Sequence, residues 1–476
     1  MKTSSSQSTR YATRRAGALV YGLVITAVVQ IILVSIMSFI TSNIRYSLQI
    51  KAREQAFQIA EAAIGDYRWY LAHNVEGKTT SQIQAFWDGG TARGVGTPYE
   101  ADYSDPVDGV VGRYRVEVIP PEAGSTIAIV KATGWTYKYP TRQRIIQVRL
   151  RRPSWSEHTV MANDFMRFGS GTEVYGRIHS NAGIRFDGVA HNTVTSSVAT
   201  YNDPDHGGGN EFGVHTHVPP TDPLPPTAVP SRSDVFEAGR TFPASTVDFN
   251  GVLGDLNYMK SEANSGNGVY FSGAGVNNRG THIELRTDGT FRARQVRNYN
   301  AAYSITAYNG SWNTYTIPDD GVIFVEDNVW LYGTINDRKV TVVAADLGGG
   351  PAPSVYILND IRYTNTDGRD VIGVIGQNNI EIAWASESDL RIDAALLAQQ
   401  GRVGREHYTS KGYSPDNKSV ITVNGAIATN LRYGFAWTDG TGYQNRDLYY
   451  DNNLLYYPPP YFPTGTEYEM DLWEEL

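Results

Sequence analysis

The feature that most constrains this chain is an apolar run near its start. Residues 18–40 contain no charged side chain, and Gln30 is the only strongly polar residue among them. As a helix the run would be about 35 Å long, enough to cross a hydrocarbon core of about 30 Å. Three alternatives follow: a cleaved export signal, a permanent membrane anchor, or the core helix of a pilus-type filament.

The length of the run argues against a cleaved signal. A secretory signal has an apolar region of about 7–15 residues followed by a small-x-small cleavage site, whereas SFITSNI follows this run. Lys2, Arg10, Arg14 and Arg15 precede it with no acidic residue among them. We therefore expect a single pass through the cytoplasmic membrane, with the N-terminus cytoplasmic and the C-terminal domain outside.

The helical pattern continues past the apolar run, through residues 41–75, which contain no proline. An alanine-rich stripe recurs there at spacings of three and four, formed by Ala52, Ala56, Ile59, Ala63, Tyr67 and Tyr70. This spacing places the stripe on one face of an amphipathic helix. Because most of its side chains are small, we expect another helix or a sheet to approach it closely.

The N-terminal arrangement resembles a type IV prepilin. A basic leader, residues 1–17, ends in Gly17 before the apolar helix, and AFQIAEAAIGDYRWYL is similar to the end of the PilX N-terminal region. The resemblance implies cleavage by a prepilin peptidase between Gly17 and Ala18. It also implies pilin or minor-pilin subunits as partners besides the lipid bilayer, with Gln30 and Glu61 on the assembly helix.

Gly22 departs from the pilin pattern. Many pilins carry a glutamate five residues into the mature helix, and here that position is Gly22. In the low-dielectric core of a filament such a carboxylate would pair with the free amine of a neighbour. We therefore expect a minor, tip-located or membrane-retained pilin-like protein rather than a major filament subunit.

Period-two patterns follow the helix in residues 76–152. The segments GRYRVEVIP, STIAIVKATGW and TRQRIIQVRLRR alternate apolar and polar residues, which predicts a small antiparallel sheet with one buried face. A long helix laid on such a sheet is the architecture that the pilin resemblance implies. We expect Arg149, Arg151 and Arg152, at the end of the last segment, to form a solvated edge.

Short apolar steps bounded by glycine and asparagine fill residues 153–457, as in GVIFVEDNVWLYGTIN and DVIGVIGQNNIEIAWA. They predict that the α+β N-terminal module is followed by a mainly-β domain, a parallel β-helix or related solenoid, with a β-sandwich as the competing prediction. The block at Asp393–Ala398 resembles one in large β-rich domains that accompany PilX-type N-termini. We expect a Pro/Gly-rich loop excursion at about 201–241, and a Pro/aromatic and acidic tail, 458–476, strapped along the surface.

The candidates for chemistry are few. His215 and His217, with Asp203, Asp205, His206 and Glu211 upstream, are weak metal candidates, since nothing in the sequence fixes their geometry. Glu387, Asp389 and Asp393 could be the carboxylates of a polysaccharide-cleaving enzyme, but the alternation favours Asp393 as a corner residue that accepts backbone N–H groups. The sequence has no cysteine and no GxSxG, HExxH or phosphate-loop motif. We therefore expect no catalytic residue, no metal and no cofactor.

These patterns together predict a non-enzymatic, minor pilin-like protein that aids pilus assembly or presents its distal domain at the pilus or cell surface. The net charge of −8 argues against nucleic acid as a partner. The 31 tyrosines would suit a surface glycan or a protein ligand. The alternative is a membrane-anchored adhesin or polysaccharide-active β-helix protein that never enters a filament.

Overall fold

A long N-terminal apolar helix is followed by a large β-rich domain, as the sequence predicts. The computed structural model describes residues 8–75, 78–122, 125–249, 252–273, 275, 279–465 and 467–476. Residues 1–7 of the expected leader, which include Lys2, lie outside the described residues. The side chains of Arg10, Arg14 and Arg15 also lie outside them.

Helix α1 spans Ser8–Val75 without interruption. Its 68 residues correspond to about 100 Å of helix. The first half is exposed, and the second half packs on the small sheet. The alanine-rich stripe is the packing face: Ala52, Ala56, Ile59, Ala63 and Tyr67 are almost completely buried, and Tyr70 is half-buried.

The small sheet has five antiparallel strands in the order β1-β2-β3-β4-β30. They are β1 (Tyr99–Asp105), β2 (Gly109–Ile119), β3 (Ile127–Thr136), β4 (Tyr139–Arg151) and the last strand of the chain, β30 (Glu469–Glu475). Strand β1 and helix α2 (Thr80–Asp88) are additions to the sequence prediction. Thr79 and Gln82 cap α2 reciprocally, a capping box that the sequence itself signals.

The C-terminal tail departs from the prediction. Residues 454–462 do lie along the β-rich domain, where Leu454, Tyr461 and Phe462 are buried. The chain then returns to the small sheet, and β30 pairs with β4. The large β-rich domain is therefore an insertion between two neighbouring strands of the small sheet.

Charge complementarity explains this return. Asp471 on β30 binds Arg149 through two contacts, 2.8 and 2.9 Å, and lies 3.0 Å from the Nε of Arg151. Glu475 pairs with Arg144 in the same ladder. The arginines expected at a solvated edge are therefore covered by an acidic strand, and Arg151 and Arg152 are buried.

The β-rich domain contains strands β5–β29 and helix α3 (Val252–Ser265). Its first strands are β5 (Val160–Ala162), β6 (Met166–Phe168), β7 (Thr172–Tyr175), β8 (Ile178–Ser180), β9 (Ile184–Phe186), β10 (Val189–Ala190), β11 (Val194–Ser196), β12 (Thr200–Asn202), β13 (Asn210–Phe212), β14 (Val214–His215) and β15 (Arg240–Thr241). Those after α3 are β16 (Gly268–Phe271), β17 (Gly280–Leu285), β18 (Thr290–Tyr299), β19 (Ile305–Thr316), β20 (Gly321–Val325), β21 (Asn328–Ile335), β22 (Lys339–Ala344), β23 (Val355–Tyr363), β24 (Val371–Gly376), β25 (Ile380–Ile382), β26 (Asp389–Ala398), β27 (Val403–Arg405), β28 (Asn417–Thr429) and β29 (Gly442–Tyr450).

One parallel ladder runs through this domain, in the order β15-β11-β8-β5-β28-β26-β24-β22-β20-β16. The chain enters it in the middle, at β5, and proceeds to one end at β15. The segment that includes α3 then leads to the opposite end, β16, and the later strands return until β28 pairs with β5. Parallel pairing of this kind does not fit the antiparallel β-sandwich that was the competing prediction.

Both faces of this ladder are covered, which explains its continuous apolar runs. In β20, Ile323 and Val325 face the main core, whereas Val322 and Phe324 contact a second core. That second core is closed by Leu256 and Met259 of α3 and by the C-terminal segment. A strand buried on two sides has no polar face, so GVIFV reads as one apolar run.

Turn and corner residues follow the sequence pattern. Asp288-Gly289 is the turn of the antiparallel β17–β18 hairpin, and Gly289 has φ +77°. Asn163 donates to Asn430 at 2.9 Å and accepts from Asn181 at 2.8 Å. These amides are hydrogen-bonded beside the place where β28 and β5 pair, so they link the first strands of the domain to one of its last strands.

Candidate functional site

The exposed half of α1 is the most unusual surface of the described chain. Leu19 is 71% exposed, Ile25 61% and Phe39 68%. The most apolar 18-residue window of this helix has a mean hydropathy of 2.6 and no buried residue. By length and composition it is the candidate membrane span, and one such N-terminal helix fits a single-pass anchor.

Three hydroxyl groups of this half are satisfied within the helix. Thr26, Ser35 and Thr41 each donate to the carbonyl oxygen four residues earlier, at 2.8 Å. A hydroxyl that donates to its own helix needs no water, so it can enter lipid or a filament core at little cost. These three hydroxyl groups are therefore compatible with a hydrocarbon environment.

The predicted processing and assembly residues are accessible. Ala18, Gly22, Gln30 and Glu61 are exposed, and Gly17 is half-exposed. Methyl groups placed at Gly17 or Gly22 would meet no atom within 4 Å. Glu61 lies within the helix that covers the sheet but points away from it, because Ala60 and Ala63 occupy the packing face.

Close helix–sheet contact holds α1 against the small domain. A Cβ atom at Gly134 of β3 would lie 2.4 Å from the carbonyl oxygen of Ala56 and 2.6 Å from the nitrogen of Ala60. The glycine and the alanines together allow backbone to approach backbone. The structure thus anchors the projecting apolar helix rigidly on a sheet, and that sheet carries the β-rich domain.

The excursion at residues 201–241 brings four of the histidines and acids together. The potential ligand atoms of Asp203, Glu211, His215 and His217 all lie within 4.8 Å of one another. Asp203, Glu211 and His215 are buried. Asp205, one of the predicted weak candidates, is elsewhere: it pairs with Arg432 at 2.6 Å and Arg167 at 3.4 Å.

Unlike Asp205, the upstream acid Glu211 belongs to this cluster, a choice that the sequence alone did not make. It lies on β13, which pairs with β12 in a short antiparallel hairpin, and that pairing brings it beside Asp203. The parallel pair of β14 with β9 fixes His215 next to Arg185. Burial lowers the pKa of His215, although the nearby Glu211 carboxylate acts in the opposite direction.

Of the three possible catalytic carboxylates, Asp393 occupies a structural position, whereas Glu387 and Asp389 are exposed. Asp393 is fully buried and accepts from the backbone N–H of Tyr363 at 3.2 Å and from Arg391 at 2.8 Å. Glu387 accepts from the amide of Asn359. Asp393 thus accepts a backbone N–H group as predicted, but it lies within strand β26 and not at a corner.

No protein-family model matches the chain, and no curated protein matches it. A solved structure, that of the competence-associated pilin ComZ from Thermus thermophilus, aligns with 89% of this chain and 97% of its own, at 11% sequence identity and a TM-score of 0.29. A TM-score this low carries no argument about fold or function. The geometry of the chain itself has to carry the functional conclusion.

Proposed function

We propose that this chain is a pilin-like minor subunit, held in the cytoplasmic membrane by α1 before it joins a pilus or related assembly. The single observation that carries the proposal is the two-part helix. One continuous α1 has a fully exposed apolar half and an alanine-rich half buried on an antiparallel sheet. A helix so built can leave lipid and pack among equivalent helices, because both environments accept the same apolar surface.

The proposal includes the orientation and the distal architecture. The basic leader places the N-terminus in the cytoplasm and the rest of the chain outside. In-register parallel strands with inward apolar rows support a β-solenoid for the distal domain. Its entry and exit lie side by side, since the nitrogen of Trp155 donates to Pro463 at 3.0 Å and that of Gly465 to Pro153 at 2.8 Å. The small sheet would thus present the solenoid as one projecting body.

A non-enzymatic role is part of the proposal. The buried, amide-bound position of Asp393 supports a structural carboxylate. A possible ligand surface is a row of exposed aromatic rings: Tyr175 stacks on Tyr449 at 4.8 Å and on His191 at 4.0 Å. Such a row suits the flat face of a sugar or a protein partner, which supports a role in adhesion.

Mass spectrometry of the mature N-terminus tests the proposal. Cleavage after Gly17 with an N-methylated Ala18 is expected in cells that contain a prepilin peptidase, and cells without the peptidase are the control. A chain that retains Met1 in both strains would contradict prepilin processing. Loss of surface pili on deletion of the gene would support a role in assembly.

Gly22 supports a second candidate function, that of a membrane-anchored surface protein that does not enter filaments. The position lacks the carboxylate that would pair with a neighbouring amine. Gly22→Glu separates the two candidates: a pilin-like subunit should enter sheared filaments in greater amount, whereas an anchor-only protein should remain in the membrane fraction. Gln30→Glu, which places the same charge elsewhere on the exposed helix, is the matched control.

A further inference from the structure

We propose that Asp203, Glu211, His215 and His217 bind one divalent metal ion of the zinc class, as a structural site at the edge of the β-rich domain. The first observation is that this buried cluster has unsatisfied polar atoms. His215 is 1% exposed, and its Nδ1 has no hydrogen-bond partner among the described residues. Its Nε2 also makes no hydrogen bond of normal geometry there, although it lies in ion-pair contact with Glu211. Oδ2 of Asp203 and Oε2 of Glu211 are also buried, and neither makes a hydrogen bond with the described residues.

The potential donor atoms of the four side chains lie close together. Nε2 of His215 lies 2.5 Å from Oε2 of Glu211 and 3.6 Å from Oδ2 of Asp203, and Nε2 of His217 lies 2.8 Å from Oε1 of Glu211. Ligands about 2.0–2.1 Å from a tetrahedral zinc ion are about 3.3 Å apart. Movements of less than about 1 Å would therefore bring the four donors around a common centre.

The charge of the cluster also calls for a cation. Buried carboxylates are costly unless they are paired or bind metal. Arg185 is the nearest guanidinium to Asp203, at 3.6 Å, but it is held more closely by Asp187, at 2.7 Å. Arg185 is thus shared by Asp187 and Asp203, and Glu211 contacts the imidazoles of His206, His215 and His217. When these imidazoles are neutral, a divalent ion would neutralise the excess negative charge.

The donor set selects the class of metal. Two imidazoles and two carboxylates match zinc and similar first-row ions, whereas calcium and magnesium prefer six or more oxygen ligands. Four protein ligands leave no open position, so the ion would be structural rather than catalytic. It would join the β12–β13 hairpin, which carries Glu211, to strand β14 at the end of the β6-β9-β14 ladder.

Metal titration of the full-length protein in detergent tests the site. After treatment with EDTA, we expect uptake of one equivalent of Zn²⁺, and Co²⁺ should give the visible absorption of a tetrahedral complex. Glu211→Gln and His217→Gln should each weaken Zn²⁺ binding by about 100-fold or more. Loss of a residue that only hydrogen-bonds a ligand would weaken it by about 10- to 100-fold. The matched control is His191→Gln, which removes another histidine beside two carboxylates and should leave Zn²⁺ affinity unchanged.

Amide exchange separates loss of the site from loss of the fold. Zn²⁺ should slow exchange in residues 200–217 of the wild type and not in the Glu211→Gln variant. If that variant differs from the metal-free wild type before titration, Asp203→Asn, which keeps the side-chain shape, replaces it. The absence of stoichiometric uptake by the wild type, equal affinity in the variants, or tighter binding of Ca²⁺ than Zn²⁺ would each overturn the proposal in favour of an internal histidine–carboxylate network.

Discussion

The contact between α1 and Gly134 gives a sharp prediction: Gly134→Ala destabilises the small domain. Gly134 has no positive φ, so alanine would meet no backbone strain there. In an open strand the change would stabilise the protein by about 0.5–1 kcal/mol, because alanine loses less conformational entropy. Contact with α1 therefore determines whether Gly134→Ala raises or lowers the stability of the small domain.

The size of the effect follows from the geometry. The new Cβ atom would lie 2.4 Å from the oxygen of Ala56 and 2.6 Å from the nitrogen of Ala60, against ordinary contacts of 3.4 Å or more. Both neighbours are helix backbone and cannot rotate away. Separation of helix and sheet by about 1 Å would forfeit up to about half of each dispersion contact along the seam. We expect a net loss of about 1–3 kcal/mol.

Hydrogen exchange of the full-length protein in detergent measures this loss locally, because a chain with several cores is not expected to unfold in one step. Peptides from β3 and from residues 52–75 should exchange at least about fivefold faster in Gly134→Ala. Gly65→Ala is the control: Gly65 is an exposed residue of the same helix, where a new methyl group would meet no atom within 4 Å, and the change should gain up to about 1 kcal/mol. Equal or slower exchange in Gly134→Ala would refute the reasoning.

Three further changes probe other parts of the fold. Asp471→Asn removes the charge that binds Arg149, so exchange in β30 should accelerate, with a loss of about 1–3 kcal/mol. Burial lowers the pKa of His282 to about 4, so the unfolded chain takes up a proton between pH 6.5 and 4 that the folded chain refuses. The free energy of unfolding should therefore decrease as the pH is lowered from 6.5 to 4. The decrease should be up to about 3 kcal/mol larger than in His282→Phe. Asn163→Ala breaks the amide ladder between β28 and β5 and should cost about 1 kcal/mol, seen as faster exchange in both strands.

Each of these changes has a matched control, at an exposed position for Asp108 and Asn313 and at a half-buried one for His191. Asp108→Asn lies in the turn between β1 and β2, His191→Phe is on the surface of the β-rich domain, and Asn313→Ala is exposed on β19. Exchange in β30 that is equally fast in Asp108→Asn would remove the ion-pair explanation. A pH slope that survives in His282→Phe would assign it to other groups, and a cost at Asn313 equal to that at Asn163 would discount the ladder.

Local features of the sequence predicted local structure well. The apolar run and the alanine stripe gave one helix and its packing face, because helical periodicity is written in neighbouring residues. The Asp288-Gly289 pair gave a hairpin turn, because the turn requires a backbone conformation that glycine adopts freely. The histidine pair gave two members of the cluster. Whether Glu211 or Asp205 joins them could not be predicted, because the distance from His215 depends on how β13 and β14 pair with their neighbouring strands.

What the sequence by itself determined is thus the identity of the elements: a helix long enough to cross a membrane, alternating strands, and short apolar steps with asparagine corners. Only the tertiary structure decided which strands are neighbours. The pairing of β5 with β28 and of β4 with β30 joins segments hundreds of residues apart in sequence. Many apolar strands are compatible with many partners, so the choice is made by burial of whole faces and by charge pairs such as Arg149 with Asp471, which exist only after the chain has folded.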